Sequence, residues 1–222
     1  MSAAAAAKSA ILRAVQDAVA GAPDAAPISR DYSQRDERSH TTVIEEFIDR
    51  LQDYKAHVER VEVRGLSSCI ADACNRYGVQ RLVAPVDVPP EWTPSEVEVL
   101  RDVAQLSLAE LDGSDAVLTG CALAIAQTGT IVLDGGARQG RRALSLVPDR
   151  HICVVFEDQV LGIVPEGIAR LSASPERPIT FISGPSATSD IELSRVEGVH
   201  GPRMLHVILV ESPLAYSEGK LE

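Results

Sequence analysis

The fold is decided by five short apolar runs in the second half of the chain: Ala116–Thr119 (AVLT), Thr130–Leu133 (TIVL), His151–Phe156 (HICVVF), Ile179–Ile182 (ITFI) and Leu205–Val210 (LHVILV). Each run has the length and the aliphatic or β-branched composition of a strand that is buried on both faces. Short helices are predicted between them. The alternation predicts an α/β fold, with a mostly parallel sheet and helices on both faces.

The rest of the chain extends this pattern towards the N-terminus. Helices are predicted at residues 3–20, 42–56, 67–77, 108–112, 122–126, 165–171 and 189–196, and further strands at 57–63, 81–84 and 97–100. Residues 21–40 mix Pro, Ser, Arg and Asp without periodicity, which is typical of a linker. We therefore divide the chain into an N-terminal helix and linker, 1–40, and an α/β domain, 41–222.

The composition is that of an acidic globular protein. The 222 residues carry a net charge of −11, and 45% of them are apolar, which is enough for a sizeable core. An acidic surface disfavours nucleic acid and anionic membranes as partners. No apolar run approaches membrane-spanning length, and no basic segment precedes an apolar core as in a signal peptide. We expect a cytoplasmic protein without nucleic-acid or membrane partners.

The four cysteines are scattered and form no C-x-x-C pair: Cys69, Cys74, Cys121 and Cys153. An iron–sulfur cluster or zinc ion held by this chain alone is therefore not expected. Thiols of this kind suit a reducing compartment.

The histidines raise the possibility of a metal site. His151, His200 and His206 could act with Asp190 and Glu192 as ligands, but their spacing matches no known metal motif. We predict that the chain binds no metal.

The stretch after the fourth apolar run carries the most suggestive polar residues. Ser183–Glu192 (SGPSATSDIE) is followed by Gly198–Pro202 (GVHGP). Polar groups behind a strand end are where open α/β sheets place ligands, and backbone amides at a helix start can hold an anion. An alternative stays open: Ser189 and Glu192 fit a helix capping box, and His200 could be structural.

Two further segments could contact an anion. Gln127–Thr130 (QTGT) places two hydroxyls around a glycine, although a helix C-cap explains the same pattern. Gly135–Arg142 (GGARQGRR) lacks the Lys-Ser/Thr of a phosphate loop and fails G-x-G-x-x-G. Its three arginines favour an anion-attracting loop, and the alternative is a solvated turn.

Four segments together resemble a known family. They are Ala124–Leu133 (AIAQTGTIVL), Leu146–Ile152 (LVPDRHI), Gly184–Glu192 (GPSATSDIE) and Gly198–Pro202. In this order they resemble the LUD domain, and in particular the lactate-utilization protein C family, over roughly residues 40–212. The resemblance implies a fold similar to the sugar-isomerase and CoA-transferase-like superfamily. It also implies a role in the oxidation of L-lactate to pyruvate beside iron–sulfur partner proteins, which carry the clusters.

The chain departs from this family at two positions. Gln127 stands where the family usually has Glu, which puts a carboxylate base there in doubt. Ala187 stands where it usually has Arg, so that one cationic contact is missing unless Arg138, Arg141 or Arg142 replaces it.

These observations predict one pocket, at the carboxyl ends of the parallel strands. The ligand-binding candidates are Thr128, Gly129, Thr130, Arg141, Arg142, Gly184, Pro185, Ser186, Thr188 and Gly201. The catalytic candidates are His200, Asp190 and Glu192. We expect an accessory subunit for lactate oxidation that binds a small anionic ligand. The alternatives are a free-standing enzyme on a phosphosugar or acyl-CoA substrate, and a structural assembly protein with a vestigial pocket.

Overall fold

A computed structural model describes residues 3–21, 28–29, 31–185 and 201–211. It contains two units, Met1–Tyr32 and Ser33–Glu222. The first unit contains helix α1, Ala3–Val19. Its large apolar side chains are exposed: Ile11, Leu12, Val15 and Val19. The second unit begins within the predicted linker. There the backbone N–H of Asp36 donates to Glu166 Oε1 at 3.0 Å.

The second unit is built on a six-stranded parallel sheet in the order β1-β10-β7-β4-β2-β3. Its strands are β1 (His57–Glu62), β2 (Arg81–Ala84), β3 (Glu98–Arg101), β4 (Ala116–Thr119), β7 (Arg150–Phe156) and β10 (Met204–Glu211). All six were predicted from their apolar pattern, to within two residues at each end. The predicted parallel α/β fold is confirmed.

Helices cover both faces of this sheet, as predicted. Helix α3, Leu66–Arg76, packs Ile70 and Ala73 on one face, against Ile152 and Ile208 of the central strands. The other face is covered by helix α2 (His40–Asp53), by helix α4 (Leu108–Asp112) and by a second sheet.

Helix α2 is held by its buried stripe. Phe47 and Leu51 are fully buried against the strands, and burying each large apolar side chain contributes about 1.5–3 kcal/mol. The helix begins behind Ser39, whose side chain accepts a hydrogen bond from Thr42 N. Since it ends at Asp53, Arg50 and Tyr54 lie at its C-terminal end.

The second sheet was not predicted. It has four strands in the order β8-β5-β6-β9, with antiparallel β5–β6 and β6–β9 pairs. The strands are β5 (Leu123–Ile125), β6 (Thr130–Leu133), β8 (Val160–Leu161) and β9 (Thr180–Ile182). Helix α5, Val164–Leu171, packs on its outer side.

Two predictions in this region were wrong. Residues 122–126 contain strand β5 in place of the predicted helix, because both of its neighbours in the second sheet offer backbone partners and its alternate side chains enter two cores. Strand β9 is not fully buried, because it lies at an edge of the sheet and Phe181 is 52% exposed. The predicted helix at 189–196 lies outside the described residues.

The middle of the chain follows the prediction. Helix α4 spans the predicted residues 108–112, and Ser107 and Glu110 form a capping box at its start: Ser107 N donates to Glu110 Oε2 at 2.7 Å, and Glu110 N donates to Ser107 Oγ at 3.2 Å. Among the described helices, none is long and apolar enough to cross a bilayer.

Candidate functional site

Three hydroxyl side chains, which we call the hydroxyl cluster, meet where β6 begins and β9 ends. Thr130 Oγ1 lies 2.7 Å from Thr128 Oγ1 and 2.7 Å from Ser183 Oγ. In the antiparallel ladder, Ile131 stands opposite Ile182. Thr130 and Ser183 are therefore the next facing pair. The two predicted segments do meet, but through antiparallel pairing in the second sheet rather than at the carboxyl ends of parallel strands.

Two glycines bring the end of helix α2 onto this cluster. Gly129 has φ 56°, and a Cβ there would lie 2.7 Å from Arg50 Cβ. Gly184 has φ 79°, and a Cβ there would lie 2.6 Å from Tyr54 Cβ. Both positions require the left-handed backbone that glycine adopts freely, and both leave no room for a side chain. Because these two glycines have no side chain, Arg50 and Tyr54 at the end of α2 can pack directly against the turns that carry the hydroxyls.

The cluster is neutral but has a cationic side chain on its covering helix. Each hydroxyl can donate or accept a hydrogen bond by rotation, so with two protons used in the contacts within the cluster, one O–H can turn towards an anion. Arg50 contacts Gly129 through its Cβ and backbone, and its side chain is 42% exposed. Its guanidinium forms ion pairs with Glu46, Asp49 and Asp53 at 4.0, 3.7 and 3.3 Å. The charge of Arg50 is thus paired with acids of its own helix, and Arg50 meets the turn at Gly129 through its Cβ and backbone. The sequence gives no sign of this contact, because there Arg50 is one charge on the polar face of a helix.

The predicted arginines lie elsewhere. Arg141 Nε donates to Asp102 Oδ2 at 2.9 Å, and its NH2 donates to the carbonyl of Leu106. Arg142 donates to the Thr180 hydroxyl. Thr180 stands opposite Leu133, at the far end of the ladder from Thr130. The structure therefore separates Arg141 and Arg142 from the hydroxyl cluster.

Arg138 is also engaged within the fold. Its guanidinium lies 5.6 Å from the centre of the Trp92 ring, and its backbone N–H donates to Asp87 Oδ2 at 2.6 Å. The basic glycine loop thus has each of its three arginines in an internal contact.

Gln127 has a structural position. Its side-chain oxygen accepts a hydrogen bond from Val164 N at 3.2 Å, and its backbone N–H donates to the Gly162 carbonyl at 3.0 Å. These bonds tie the β5–β6 connection to the start of α5.

His151 is a buried core histidine. It is 1% exposed, and its Nε2 lies 2.7 Å from the Thr119 hydroxyl. It faces the space between the two sheets, beside Cys153. This contact occupies one of its two ring nitrogens.

Much of the predicted site lies outside the described residues: Ser186, Ala187, Thr188, Asp190, Glu192 and His200. Pro185 and Gly201 are described and half-buried. The convergence of these residues with the hydroxyl cluster stays a prediction.

A second polar group lies at the N-terminal edge of the parallel sheet, under the end of α3. His57 and Glu59 of β1 point to the same face, and His206 is the register partner of His57 on β10. Glu59 Oε1 lies 2.9 Å from His57 Nε2 and 3.8 Å from His206 Nε2. We call His57, Glu59 and His206 the His-Glu-His cluster.

The electrostatics of this cluster favour an anionic carboxylate beside a neutral, buried imidazole. Burial raises the pKa of Glu59, but hydrogen bonds from His57 and Cys69 and the nearby charge of Arg76 outweigh it, so that the pKa falls to about 2. Burial and the neighbouring His57 lower the pKa of His206 to about 4 against the attraction of Glu59. His206 is therefore uncharged at neutral pH, with a lone pair on one ring nitrogen.

A surface cleft of about 590 Å³ lies apart from both clusters. It is lined by residues 33–37 and Ile163, so neither the hydroxyl cluster nor the His-Glu-His cluster contributes to its wall.

The parallel sheet, the mixed second sheet that covers it and the helices on both faces define an α/β domain. A family model described as the LUD domain matches residues 44–210. The chain belongs to the LUD domain family.

Individual relatives are similar over most of the chain. A protein of Deinococcus radiodurans named lactate utilization protein C is 49% identical over 92% of this chain and 95% of its own length. A protein of the same name from Halalkalibacterium halodurans is 30% identical over 81% of this chain and 77% of its own length. The crystal structure of a DUF162 family protein from Deinococcus radiodurans, 47% identical, superposes with a TM-score of 0.69 over 78% of this chain and 99% of that chain.

Proposed function

We propose that the chain takes part in lactate utilization, as an accessory subunit for the oxidation of L-lactate to pyruvate. Its membership of the LUD domain family supports this proposal, as do the relatives named lactate utilization protein C that match most of its length. In this proposal the chain acts beside iron–sulfur proteins that carry the redox clusters.

The main support for the site is the contact between the Gln127–Thr130 segment and the Ser183–Gly184 turn. The first segment and Gly184 belong to the motifs that resemble the family, Ser183 directly precedes Gly184, and the hydroxyls of Thr130 and Ser183 lie 2.7 Å apart although they are far apart in sequence. Three hydroxyls adjoin one another here, with Thr130 buried and Thr128 and Ser183 half-buried, and their two mutual hydrogen bonds leave one O–H for a ligand that accepts a hydrogen bond.

A small carboxylate fits this donor. The two hydrogen bonds within the cluster use two of its three hydroxyl protons, which leaves one O–H to donate to a carboxylate, and hydrogen bonds to a charged acceptor are stronger than neutral ones. Pro185 and Gly201 border the segment 186–200, which contributes Ser186, Thr188, Asp190, Glu192 and His200 in this proposal. His200 and the two acids would then act on the ligand hydroxyl.

The proposal that iron–sulfur clusters lie on partner proteins has separate support. All four cysteines are free and buried within the apolar cores, so they are not arranged as a solvent-facing ligand set. Four free thiols also suit a reducing compartment, and we place the chain in the cytoplasm.

Binding to the purified chain tests the site. We expect L-lactate or pyruvate to bind the wild-type chain, and Thr130→Val combined with Ser183→Ala to weaken binding by roughly ten- to a hundredfold. Isothermal titration calorimetry measures the dissociation constants. Ser172→Ala is the matched control, because that hydroxyl bonds only to the Ile168 carbonyl of its own helix.

Equal affinity of the double variant and the wild type for both acids would contradict the proposed site. Turnover of L-lactate by the purified chain without a partner would contradict the role of an accessory subunit.

A further inference from the structure

We propose that His57, Glu59 and His206 form a binding site for a divalent first-row transition-metal ion such as Zn²⁺. The site is independent of the hydroxyl cluster and of the proposed role in lactate utilization. Its three side chains each point one ligand atom inwards, and these atoms all lie within 4.8 Å of one another. Among the described residues, this is the group of His, Cys, Asp and Glu side chains that meets that condition.

The separations suit a metal ion. In a tetrahedral site with bonds of about 2.0–2.1 Å, neighbouring ligand atoms lie roughly 3.3 Å apart. The distances from Glu59 Oε1 to His57 Nε2 and to His206 Nε2, 2.9 and 3.8 Å, bracket this value. Two imidazoles and one carboxylate are a donor set that zinc accepts, with a fourth position left for water.

An independent observation at His206 points to a ligand. His206 is 1% exposed, yet its Nε2 is buried without a hydrogen-bond partner. The facing atom is Glu59 Oε1, at 3.8 Å, which is too far for a hydrogen bond. A buried nitrogen without a partner is destabilising, and a cation between it and the carboxylate would satisfy both.

The second ring nitrogen of His206 is already oriented as in metal sites. Its Nδ1 lies 3.1 Å from the Tyr77 hydroxyl. Metal-bound histidines usually have their other nitrogen in such a hydrogen bond, which fixes the ring and its tautomer. With the proton on Nδ1, the lone pair of Nε2 points towards Glu59.

The guanidinium of Arg76 lies at the solvent-exposed edge of the His-Glu-His cluster. Arg76 NH1 lies 2.6 Å from Glu59 Oε1 and also contacts His57 Nε2. Its side chain is 46% exposed at the end of α3, so it can turn into solvent when a metal ion binds. Arg76 is therefore a competitor for the Glu59 carboxylate, and removing it should strengthen metal binding. The thiol of Cys69 donates a hydrogen bond to Glu59 Oε2 at 3.3 Å, so the second oxygen of the carboxylate is also held in place.

No motif in the sequence indicated this site. His57 and Glu59 lie near the start of the domain and His206 near its end, and the parallel pairing of β1 with β10 brings them together. The sequence predicted that the chain binds no metal, because metal motifs are recognised by short spacings.

The test is titration of the chelator-treated full chain with Zn²⁺ and with Co²⁺. We expect one ion per chain by calorimetry and elemental analysis, and visible Co²⁺ bands of tetrahedral intensity. His57→Ala and Glu59→Gln should abolish stoichiometric binding, whereas Arg76→Ala should tighten it. Tyr77→Phe should weaken it about 10- to 100-fold.

The controls keep the test decisive. His40→Ala removes an exposed histidine, and Glu62→Gln removes an exposed acid on the same strand as Glu59; both should bind as the wild type does. His57 and Arg76 are partly exposed, so their variants should fold, which circular dichroism checks. Absence of stoichiometric binding by the wild type, binding that survives in folded His57→Ala and Glu59→Gln, or loss of binding in His40→Ala would each overturn the proposal.

Discussion

At the scale of single residues, Gly129 decides how closely helix α2 approaches the hydroxyl cluster. It has φ 56° and faces the Arg50 backbone with no space for a Cβ. Gly78 has nearly the same backbone, φ 62°, but open space where a Cβ would lie. Comparing an alanine substitution at each position therefore separates the free-energy cost of backbone strain from that of the steric contact with Arg50.

We expect Gly129→Ala to destabilise the fold more than Gly78→Ala does. Left-handed backbone costs a non-glycine residue about 1–3 kcal/mol, which applies to both variants, and only Gly129→Ala also pushes α2 away. Urea unfolding followed by circular dichroism measures both free energies of unfolding. Equal losses for the two variants would show that the contact with α2 has no energetic weight.

At the scale of elements, the glycine loop after β6 is organised by Asp134. Its Oδ1 accepts hydrogen bonds from Gly136 N and from the Gln139 side chain, each at 2.9 Å, and its Oδ2 pairs with Arg177 at 2.8 Å. Gln139 is 3% exposed. The loop that the sequence presented as a basic, anion-attracting turn is thus held from inside by one carboxylate.

This arrangement predicts a pH dependence. Burial raises the pKa of Asp134, but Arg177, Gly136 and Gln139 outweigh it and leave the pKa below its usual value of 3.8. A carboxyl whose pKa is lower in the folded state stabilises the fold above 3.8, and this contribution is lost as the pH falls through the folded-state pKa. Asp134→Asn should therefore lower the free energy of unfolding at neutral pH by about 1–3 kcal/mol.

Below pH 3.8 the difference between wild type and Asp134→Asn should shrink. Urea unfolding at a series of pH values measures it, with Asp49→Asn as the control of equal charge at a 68% exposed side chain. A difference that stays constant with pH would mean that the carboxylate charge does not hold the loop.

The second sheet shows what local sequence cannot determine. Residues 122–126 are Ala, Leu, Ala, Ile and Ala, which favour a helix by propensity and fit a strand by alternation. Strands β6 and β8 decide between the two by offering backbone partners on both sides. Strand β8 has only two residues, too short to be visible in any periodicity.

At the scale of the whole molecule, the parallel sheet was predictable because its central strands β4, β7 and β10 are buried apolar runs, and because the segments of β1 and β3 show alternating valines. Both clusters were less predictable, since each depends on pairing between distant segments. The contact of Thr130 with Ser183 requires the β6–β9 register, and that of His57 with His206 requires the β1–β10 register. The sequence indicated the hydroxyls through family resemblance, and it contained no signal for Arg50 or for Glu59.

The measurement that tests the central claim most directly is growth on L-lactate as the only carbon source. The native host, with its chromosomal copy deleted, carries either the wild-type chain, Thr130→Val with Ser183→Ala, or the Ser172→Ala control, at matched protein levels. We predict that the wild type and Ser172→Ala restore growth on L-lactate, whereas the double variant does not, and that all three grow equally on glucose. Growth of a folded double variant on L-lactate at the wild-type rate would contradict the claim that the hydroxyl cluster serves lactate utilization.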